Sequence, residues 1–395
     1  MWIKRDLMKY LSQPSLPVQV LTGPRQGGKS TLFHHLEGAR FNEVSLDDLQ
    51  ARRLAEADPA FFLKQNTSPL FIDEAPYAPN LFPQIKLEVD LARRRPEKRG
   101  VMFRLTGSNQ LLIDRNVKES LARANYFRLH PLSVHEVCSA NLSVEVQDML
   151  FSGGWPELYA NPEISTIMYL NDYIQTYVEK DFALLAGIEK LGAFQTVLGL
   201  LAARTGQLLN FKDVARDAGI SSVTVKDWVL LLERNGLCGL LRPFWTNLNK
   251  RLIKTPKFYF LDTGLACRLQ GHQAAPSMMK SPQIGQLFET LVLSEIIKTR
   301  DHHARTWQPF FWRTKEKEEY DFIIVSGDRS VVLDARLAIH AAQPIGLSPA
   351  LKKALGGKKI GLGVVTYGGK KILLNRDCWQ IPIHDLSAFL IDSLG

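Results

Sequence analysis

The chain has 395 residues, of which 45% are hydrophobic and 23% charged, and its net charge is +9. This length predicts two or three domains, and the composition excludes a disordered or fibrous protein. No apolar run is long enough to cross a bilayer, the first residues lack a signal-peptide core, and the four cysteines form no C-x-x-C pair. We therefore expect a cytoplasmic protein without a membrane partner, a disulfide framework or a zinc ribbon. The positive charge permits nucleic acid binding without requiring it.

The first patterned stretch is a glycine-rich loop, Gly23-Pro24-Arg25-Gln26-Gly27-Gly28-Lys29-Ser30-Thr31. It satisfies every fixed position of G-x-x-x-x-G-K-[ST] and lies between a predicted buried strand at 18–21 and a helical pattern that starts at Leu32. Glycines let backbone amides turn towards a phosphate, and the helix directs its positive end at the same anion. The pattern predicts a nucleotide-binding loop in which Lys29 contacts the β- and γ-phosphates and Ser30 binds Mg²⁺. The alternative is a glycine-rich turn with an ordinary lysine.

Two further predicted strands end in polar residues. The first covers 69–72 and is followed by Asp73 and Glu74, which are predicted to support Mg²⁺ and to act as general base, respectively. The second covers 101–105, and Ser108 or Asn109 after it is predicted to sense the γ-phosphate, because ligands gather where parallel strands end. An ordinary surface turn remains the alternative in both places.

The segment 111–123 is predicted to be helical and carries Arg115 and Arg123. Either arginine could neutralise transition-state charge, in its own site or in that of a neighbouring molecule. A solvent-facing helix surface explains both arginines equally well.

These motifs resemble those of the bacterial and archaeal AAA-type ATPases that carry a C-terminal domain of unknown function. The resemblance covers nearly the whole chain and includes the stretches 153–157, 173–181 and 252–266. It implies ATP or ADP and Mg²⁺ as ligands. The chain departs from the usual S-L-A-G-R motif, because Ser120-Leu121-Ala122 runs directly into Arg123.

The sequence pattern after the P-loop domain predicts a linker. Gly153-Gly154-Trp155-Pro156 interrupts the helical pattern and is predicted to be a domain hinge, and 168–185 is predicted to be one amphipathic helix whose tyrosines favour a core position over base stacking. We expect four segments: a P-loop domain (1–140), a hinge and helical linker (141–190), a winged helix (191–270) and a nuclease-like domain (271–395).

The winged-helix prediction rests on helix caps and turns. Asn210 and Ser221 are predicted to cap two helices separated by a turn at Gly219, and two strands follow Gly236. In a DNA-binding interpretation the second helix faces the major groove and the wing contacts phosphates. The candidate residues are Ser221, Ser222, Thr224, Val225 and Lys226 on the helix, and Lys250, Arg251 and Lys254 on the wing. A protein-packing role is equally consistent with the pattern.

The last segment resembles a restriction-endonuclease core, which binds Mg²⁺ through carboxylates on neighbouring strands. Glu289, Asp321 and Asp334 could collect a metal in this arrangement, whereas Arg336 stands at the position of the usual lysine. Arginine stays protonated and cannot serve as a tunable base. We therefore expect a nuclease fold without nuclease activity, and a charged strand edge without metal is the alternative.

The sequence thus predicts an α/β protein with a parallel-sheet P-loop domain, a winged helix and an α/β restriction-endonuclease-like domain. The predicted function is ATP hydrolysis with Mg²⁺ coupled to conformational change. Alternatives are a slow-turnover ATP-dependent switch or scaffold and, least favoured, a metal-dependent nuclease. DNA, protein partners and a second copy of the chain are candidate macromolecular partners.

Overall fold

The computed structural model describes residues 1–13, 15–37, 41–94, 100–108, 124–142, 144–181, 187–245, 255–314 and 318–395. They form two compact units. The N-terminal unit comprises Lys4–Pro131 and Asp301–Ala304, and the C-terminal unit comprises Met1–Ile3, Leu132–Arg300 and Arg305–Gly395. Within these ranges, no helix is both long and apolar enough to cross a membrane.

The N-terminal unit contains a five-stranded, fully parallel sheet with the strand order β2-β3-β4-β1-β5. Its strands are β1 (Val18–Thr22), β2 (Asn42–Ser45), β3 (Leu70–Asp73), β4 (Phe103–Gly107) and β5 (Ala124–Arg128). Its helices are α1 (Met8–Leu11), α2 (Lys29–Glu37), α3 (Leu49–Ala57), α4 (Pro59–Gln65) and α5 (Leu81–Arg93). The parallel α/β sheet predicted for this region is confirmed.

Local sequence explains why these elements form. Every residue of β1 is buried, as expected of a central strand covered on both faces. The Asp48 carboxylate accepts hydrogen bonds from the first backbone amides of α3, and Asp58 does so for α4. These caps stabilise each helix start by about 1 kcal/mol.

The C-terminal unit begins with four short helices, α6 (Val134–Ser139), α7 (Val146–Ser152), α8 (Pro156–Ala160) and α9 (Thr166–Tyr173). A π-helical segment, Ile174–Asp181, continues α9 without a break, so the helix predicted over 168–185 is confirmed as far as residue 181. The apolar side chains of this helix, among them Tyr173, Tyr177 and Val178, are buried in the core as predicted.

The predicted domain hinge at Gly153-Gly154-Trp155-Pro156 is corrected by the structure, because it lies inside one compact unit. Trp155 is buried, and the Asp262 carboxylate accepts hydrogen bonds from Gly154 N (2.8 Å) and Trp155 Nε1 (3.1 Å). Gly153 has φ +72°, and a Cβ there would lie only 2.2 Å from Asp262 Oδ1. The glycines therefore permit close packing inside the C-terminal unit and do not join two units.

Residues 191–260 fold as α10 (Leu191–Ala202), β6 (Gln207–Leu208), α11 (Phe211–Ala218), α12 (Ser222–Arg234), β7 (Cys238–Pro243) and β8 (Lys257–Phe260). The predicted caps are confirmed: Asn210 accepts from Lys212 N, and Ser221 accepts from Thr224 N. Gly219 ends α11 in the left-handed conformation with φ +67°. The assignment of this segment as a winged helix remains a prediction.

The remaining elements are α13 (Thr263–Leu269), α14 (Ala275–Met278), α15 (Ile284–His302), β9 (Gln308–Arg313), β10 (Glu319–Ser326), β11 (Arg329–Arg336), α16 (Pro349–Leu355), β12 (Lys359–Thr366), β13 (Ile372–Leu373), β14 (Cys378–Pro382) and α17 (Leu386–Leu394). Strands β6 to β14 form one nine-stranded sheet in the order β13-β14-β12-β11-β10-β9-β7-β8-β6. The parallel pair β7–β9 joins the two halves of this sheet, and one apolar core contains Phe194, Phe258 and Phe322. The predicted boundary at residue 270 therefore lies inside one compact unit, and the endonuclease-like assignment remains a prediction.

Candidate nucleotide site

The three motifs predicted to contact nucleotide lie at the ends of neighbouring strands. In the order β3-β4-β1, the pairs Ile72↔Leu105 and Thr22↔Gly107 bring the carboxyl ends of these strands to one edge of the sheet. The glycine-rich loop follows β1, Asp73 ends β3, and Ser108 follows β4. Parallel α/β sheets bind ligands at this edge.

The glycine-rich loop takes conformations that only small or flexible residues adopt readily. Gly23 has φ +152°, Gly28 has φ +87°, and Gln26 is a non-glycine residue at φ +59°. A Cβ at Gly23 would lie 2.0 Å from the Leu129 carbonyl oxygen, so this position requires glycine. The loop leads directly into α2, which begins at Lys29.

Lys29 is buried and folded back onto the loop. Its Nζ donates hydrogen bonds to the carbonyl oxygens of Gly23 (3.2 Å) and Pro24 (2.9 Å). Burial lowers the pKa of Lys29, while the nearby carboxylates of Glu74 and Asp73 oppose this change. An ammonium group held by carbonyl oxygens at this point is placed to exchange them for phosphate oxygens.

Ser30, Asp73, Thr106 and Glu74 form one hydrogen-bonded chain. Ser30 Oγ donates to both carboxylate oxygens of Asp73 (2.9 and 3.0 Å), and Thr106 Oγ1 donates to Asp73 Oδ1. Glu74 N donates to Thr106 Oγ1 (3.2 Å), and Glu74 Oε2 accepts from Ser108 N (3.1 Å). The structure thus brings together Ser30, Asp73, Glu74 and Ser108, four of the predicted site residues.

Thr106 and Arg5 also belong to this site, although neither was among the predicted site residues. Thr106 is buried and lies beside Asp73 because the β3–β4 register places these residues next to each other. Arg5 is 2% exposed, and its guanidinium donates to Gly27 O (3.0 Å) and His130 O (2.6 Å). The predicted β3–β4 pairing could have indicated Thr106, but no local signal could have indicated Arg5.

Two other residues of the glycine-rich loop, Arg25 and Thr31, lie in different environments. Arg25 Nη2 donates to the Tyr77 hydroxyl (3.3 Å), and the Arg52 guanidinium lies over the Tyr77 ring at 4.1 Å. Thr31 is exposed on the first turn of α2, and its carbonyl oxygen is 3.0 Å from His35 Nδ1.

Several predicted residues lie outside the described part of the chain, namely Asn109, Arg115, Arg123, Lys250, Arg251 and Lys254. Of the candidate DNA contacts that are described, Lys226 is exposed on α12. Val225 is fully buried, so the prediction that it faces a DNA groove is wrong. It packs in the core because it occupies the inward face of α12.

The acidic residues predicted as a vestigial nuclease centre lie on α15, β10 and β11. Arg336 Nη2 donates to Asp334 Oδ2 (2.8 Å), and Asp321 Oδ2 accepts from Ala335 N (2.9 Å). Burial raises the pKa of Asp334 to about 6 and, together with Asp321, raises that of Glu289 to about 7.

A lysine that the sequence pattern did not indicate also enters this cluster. Lys257 Nζ lies 2.8 Å from Glu319 Oε1 and 3.8 Å from Glu289 Oε2. No three His, Cys, Asp or Glu side chains of the described residues are grouped so that they could hold a metal. Lys257 pairs with Glu319, and Arg336 pairs with Asp334. A metal-binding role for Glu289, Asp321 and Asp334 remains a prediction.

Comparison with known proteins agrees with the motifs in the N-terminal unit. Residues 15–138 match the model of an AAA domain, which supports an AAA-type P-loop ATPase. Residues 144–275 and 284–386 match two models described as domains of unknown function. The resemblance to AAA-type ATPases with a C-terminal domain of unknown function is confirmed to this extent.

Two relatives align with most of the chain. Uncharacterized proteins of Mycobacterium tuberculosis and Mycobacterium bovis are each 28% identical over 359 residues, covering 90% of this chain and 77% of theirs. A Walker-type ATPase of Pyrococcus abyssi aligns with 67% of this chain and 93% of its own at 15% identity and TM-score 0.42. The ORC1 protein of Aeropyrum pernix, solved in complex with DNA, aligns with 67% of this chain and 91% of its own at 12% identity and TM-score 0.26.

Proposed function

We propose that the N-terminal unit binds ATP with Mg²⁺ and hydrolyses it to ADP and phosphate. The observation that carries this proposal is the hydrogen-bonded chain from Ser30 through Asp73 and Thr106 to Glu74, at the strand edge where the glycine-rich loop presents Lys29. These are the residue types that phosphoryl transfer needs: a cation for the phosphates, oxygen ligands for the metal and a carboxylate near the attacking water.

The residues present fit Mg²⁺. Ser30 and Asp73 offer hydroxyl and carboxylate oxygens that already lie within 3.0 Å of each other, and Mg²⁺ prefers such ligands together with phosphate oxygens and water. When bound, Mg²⁺ neutralises charge on the β- and γ-phosphates. A site that uses one protein carboxylate is compatible with the lack of a three-residue metal cluster in the described ranges.

In the proposed reaction, Glu74 accepts a proton from the water that attacks the γ-phosphorus, and the bond between that phosphorus and the bridging oxygen of ADP breaks. Lys29 leaves the loop carbonyls and neutralises phosphate charge. Ser108 or Asn109 senses the γ-phosphate, and Arg123 or Arg115 supplies additional positive charge in its own site or a neighbour's. Thr106 acts as a positioning residue, since its hydroxyl fixes Asp73 and the Glu74 backbone.

Phosphate release measured with matched variants tests the proposal. Lys29→Ala should abolish nucleotide binding, whereas Glu74→Gln should retain binding and lower turnover by roughly 10²- to 10⁴-fold, the usual contribution of a general base. Lys86→Ala and Glu56→Gln, which alter exposed side chains on α5 and α3, should leave both unchanged. Equal phosphate release from all five proteins would contradict the proposal.

A slow-turnover switch is the second candidate, and it is favoured by one observation. Both Lys29 and Glu74 are held by main-chain groups, the former by the Gly23 and Pro24 carbonyls and the latter by the Ser108 amide. Turnover then requires both side chains to be released. Tight ATP binding with slow hydrolysis, even within a single turnover, would favour this candidate.

We also propose that hydrolysis is coupled to a conformational change. The partner in this change is DNA, another protein or a second copy of the chain. In the DNA alternative, the exposed Lys226 contributes, together with Lys250, Arg251 and Lys254. Neutralising these four residues should then weaken DNA binding and reduce its salt dependence.

A further inference from the structure

Six basic residues lie at one edge of the nine-stranded sheet, where β11, β12 and β14 begin. We call this the basic edge, and it consists of Arg329, Lys352, Lys353, Lys358, Lys359 and Arg376. Arg329 and Lys359 are direct partners in the parallel β11–β12 ladder. Arg376 lies two residues before β14, whose Cys378 aligns with Leu362 of β12, so it comes level with the start of β12.

The other three lysines reach this edge through α16 and a glycine turn. Lys352 and Lys353 lie in the last turn of α16, which ends at Leu355. Gly356 and Gly357 then lead to Lys358, whose Nζ donates to the carbonyl oxygen of Gly327 in the β10–β11 turn. The loops before β11, before β12 and before β14 therefore present their cations on the same side.

These cations lack acidic partners in the described part of the chain. None of the six forms a salt bridge there, and Lys352, Lys353, Lys359 and Arg376 are exposed. The same loops contain two acidic residues, Asp328 and Asp377. The six cations therefore leave the edge with a net charge of +4. Residues 329–376 contain nine Lys or Arg and one Asp, and this excess of eight accounts for most of the chain's net charge of +9.

The arrangement of the charges indicates the partner. Arg329 and Arg376 are separated by two strand spacings, roughly 10 Å, and a duplex segment of that length carries about six phosphate charges. No large hydrophobic side chain is exposed within these loops, and the nearest exposed ones, Ile372 and Leu373 of β13, lie at one end of the basic edge, beside the loop before β14. Base stacking by single strands needs exposed aromatic rings, and insertion into a membrane needs exposed apolar side chains.

We propose that the basic edge binds the phosphate backbone of duplex nucleic acid without reading its sequence. This surface is separate from the acidic cluster, because Asp334 lies five residues further along β11 than Arg329, roughly 17 Å away along the strand. It is also separate from the segment 191–270, to which DNA contacts were assigned from sequence. The inference does not depend on the proposed ATPase activity.

The chain provides a matched control for the test. The sequence Gly-Gly-Lys-Lys occurs at 356–359, on the basic edge, and again at 368–371, beyond the opposite end of β12. Lys358→Gln with Lys359→Gln and Lys370→Gln with Lys371→Gln therefore remove the same charge from the same motif at two ends of the sheet. Fluorescence anisotropy of a labelled duplex, titrated with the full chain over a range of salt concentrations, measures each effect.

For six phosphate contacts, the logarithm of the binding constant should fall with the logarithm of salt concentration with a slope of about 5. Removing Lys358 and Lys359 should lower this slope by about 2 and weaken binding roughly 10- to 100-fold at about 0.1 M salt. The Lys370/Lys371 variant should bind as the unaltered protein does. Lys352→Glu with Lys353→Glu should weaken binding further, and unchanged thermal unfolding would exclude misfolding as the cause.

Three further ligands and one further variant test whether the basic edge, and not another surface, binds duplex nucleic acid in preference to single strands or a membrane. Duplex DNA and duplex RNA should bind with similar salt slopes, because both present a phosphate backbone. Tighter binding to single strands, binding to phosphatidylserine vesicles without binding to duplex, or equal weakening by both Gly-Gly-Lys-Lys variants would overturn the inference. So would a loss of binding in Lys226→Gln that the Lys358/Lys359 variant does not show.

Discussion

Replacing Thr106 by valine removes one hydroxyl from the centre of the proposed active site and preserves its shape. That hydroxyl donates to Asp73 Oδ1 and accepts from Glu74 N, and the residue is 1% exposed. A hydrogen bond to a charged group contributes about 1.5–3 kcal/mol, and each ~1.4 kcal/mol of barrier changes a rate tenfold. Since this bond orients the metal-binding carboxylate, we expect Thr106→Val to lower kcat about 10- to 100-fold.

The affinity for nucleotide should change less than about threefold, because the Thr106 hydroxyl bonds to neither the glycine-rich loop nor Lys29. Thr106→Ser keeps the hydroxyl and should restore kcat to within about threefold of the unaltered protein. Steady-state phosphate release gives kcat, and calorimetry with Mg-ATP gives the affinity. An unchanged kcat in Thr106→Val, or equal impairment in Thr106→Ser, would refute this account of the hydrogen-bonded chain.

The other predictions concern Arg5, Asp262 and Glu289. Arg5→Lys loses the forked contact that holds Gly27, so calorimetry should show nucleotide affinity reduced roughly 5- to 30-fold with kcat nearly unchanged; an unaltered affinity would contradict a positioning role. Asp262→Ala leaves buried donors such as Trp155 Nε1 unpaired and should lower the free energy of unfolding by about 2–4 kcal/mol in urea titrations, with Asp262→Asn intermediate. Because the folded pKa of Glu289, about 7, exceeds its ordinary 4.5, its contribution to stability is complete below pH 4.5 and is lost as pH rises through 7. Glu289→Gln should flatten the fall in unfolding free energy over that window, and an unchanged pH profile would contradict this.

The sequence could predict those parts of the fold and site that depend on local chemistry. The glycine-rich loop, the strand that ends at Asp73 and the helix caps at Asn210 and Ser221 were found because spacing and residue type suffice to define them. Thr106 was missed because its role depends on which strand lies beside β3.

Features that depend on distant contacts were missed or misassigned. Gly153 and Gly154 resemble a hinge in sequence, but the side chain that packs against them, Asp262, is more than a hundred residues away. Lys257 enters the acidic cluster only because β8 and α15 fold together, and Arg5 contacts Gly27 and His130, which lie 22 and 125 residues later in the chain. Such pairings arise from tertiary packing, which periodicity in one segment does not report.

The central claim is that Lys29 and the backbone around Gly28 bind the phosphates of ATP beside Ser30 and Asp73. Calorimetric titration of Mg-ATP into the purified full chain, with Lys29→Ala in parallel, tests it most directly. The account predicts saturable binding to one site per chain in the unaltered protein and none in the variant. Absence of binding in the unaltered protein, or equal binding in both, would contradict it.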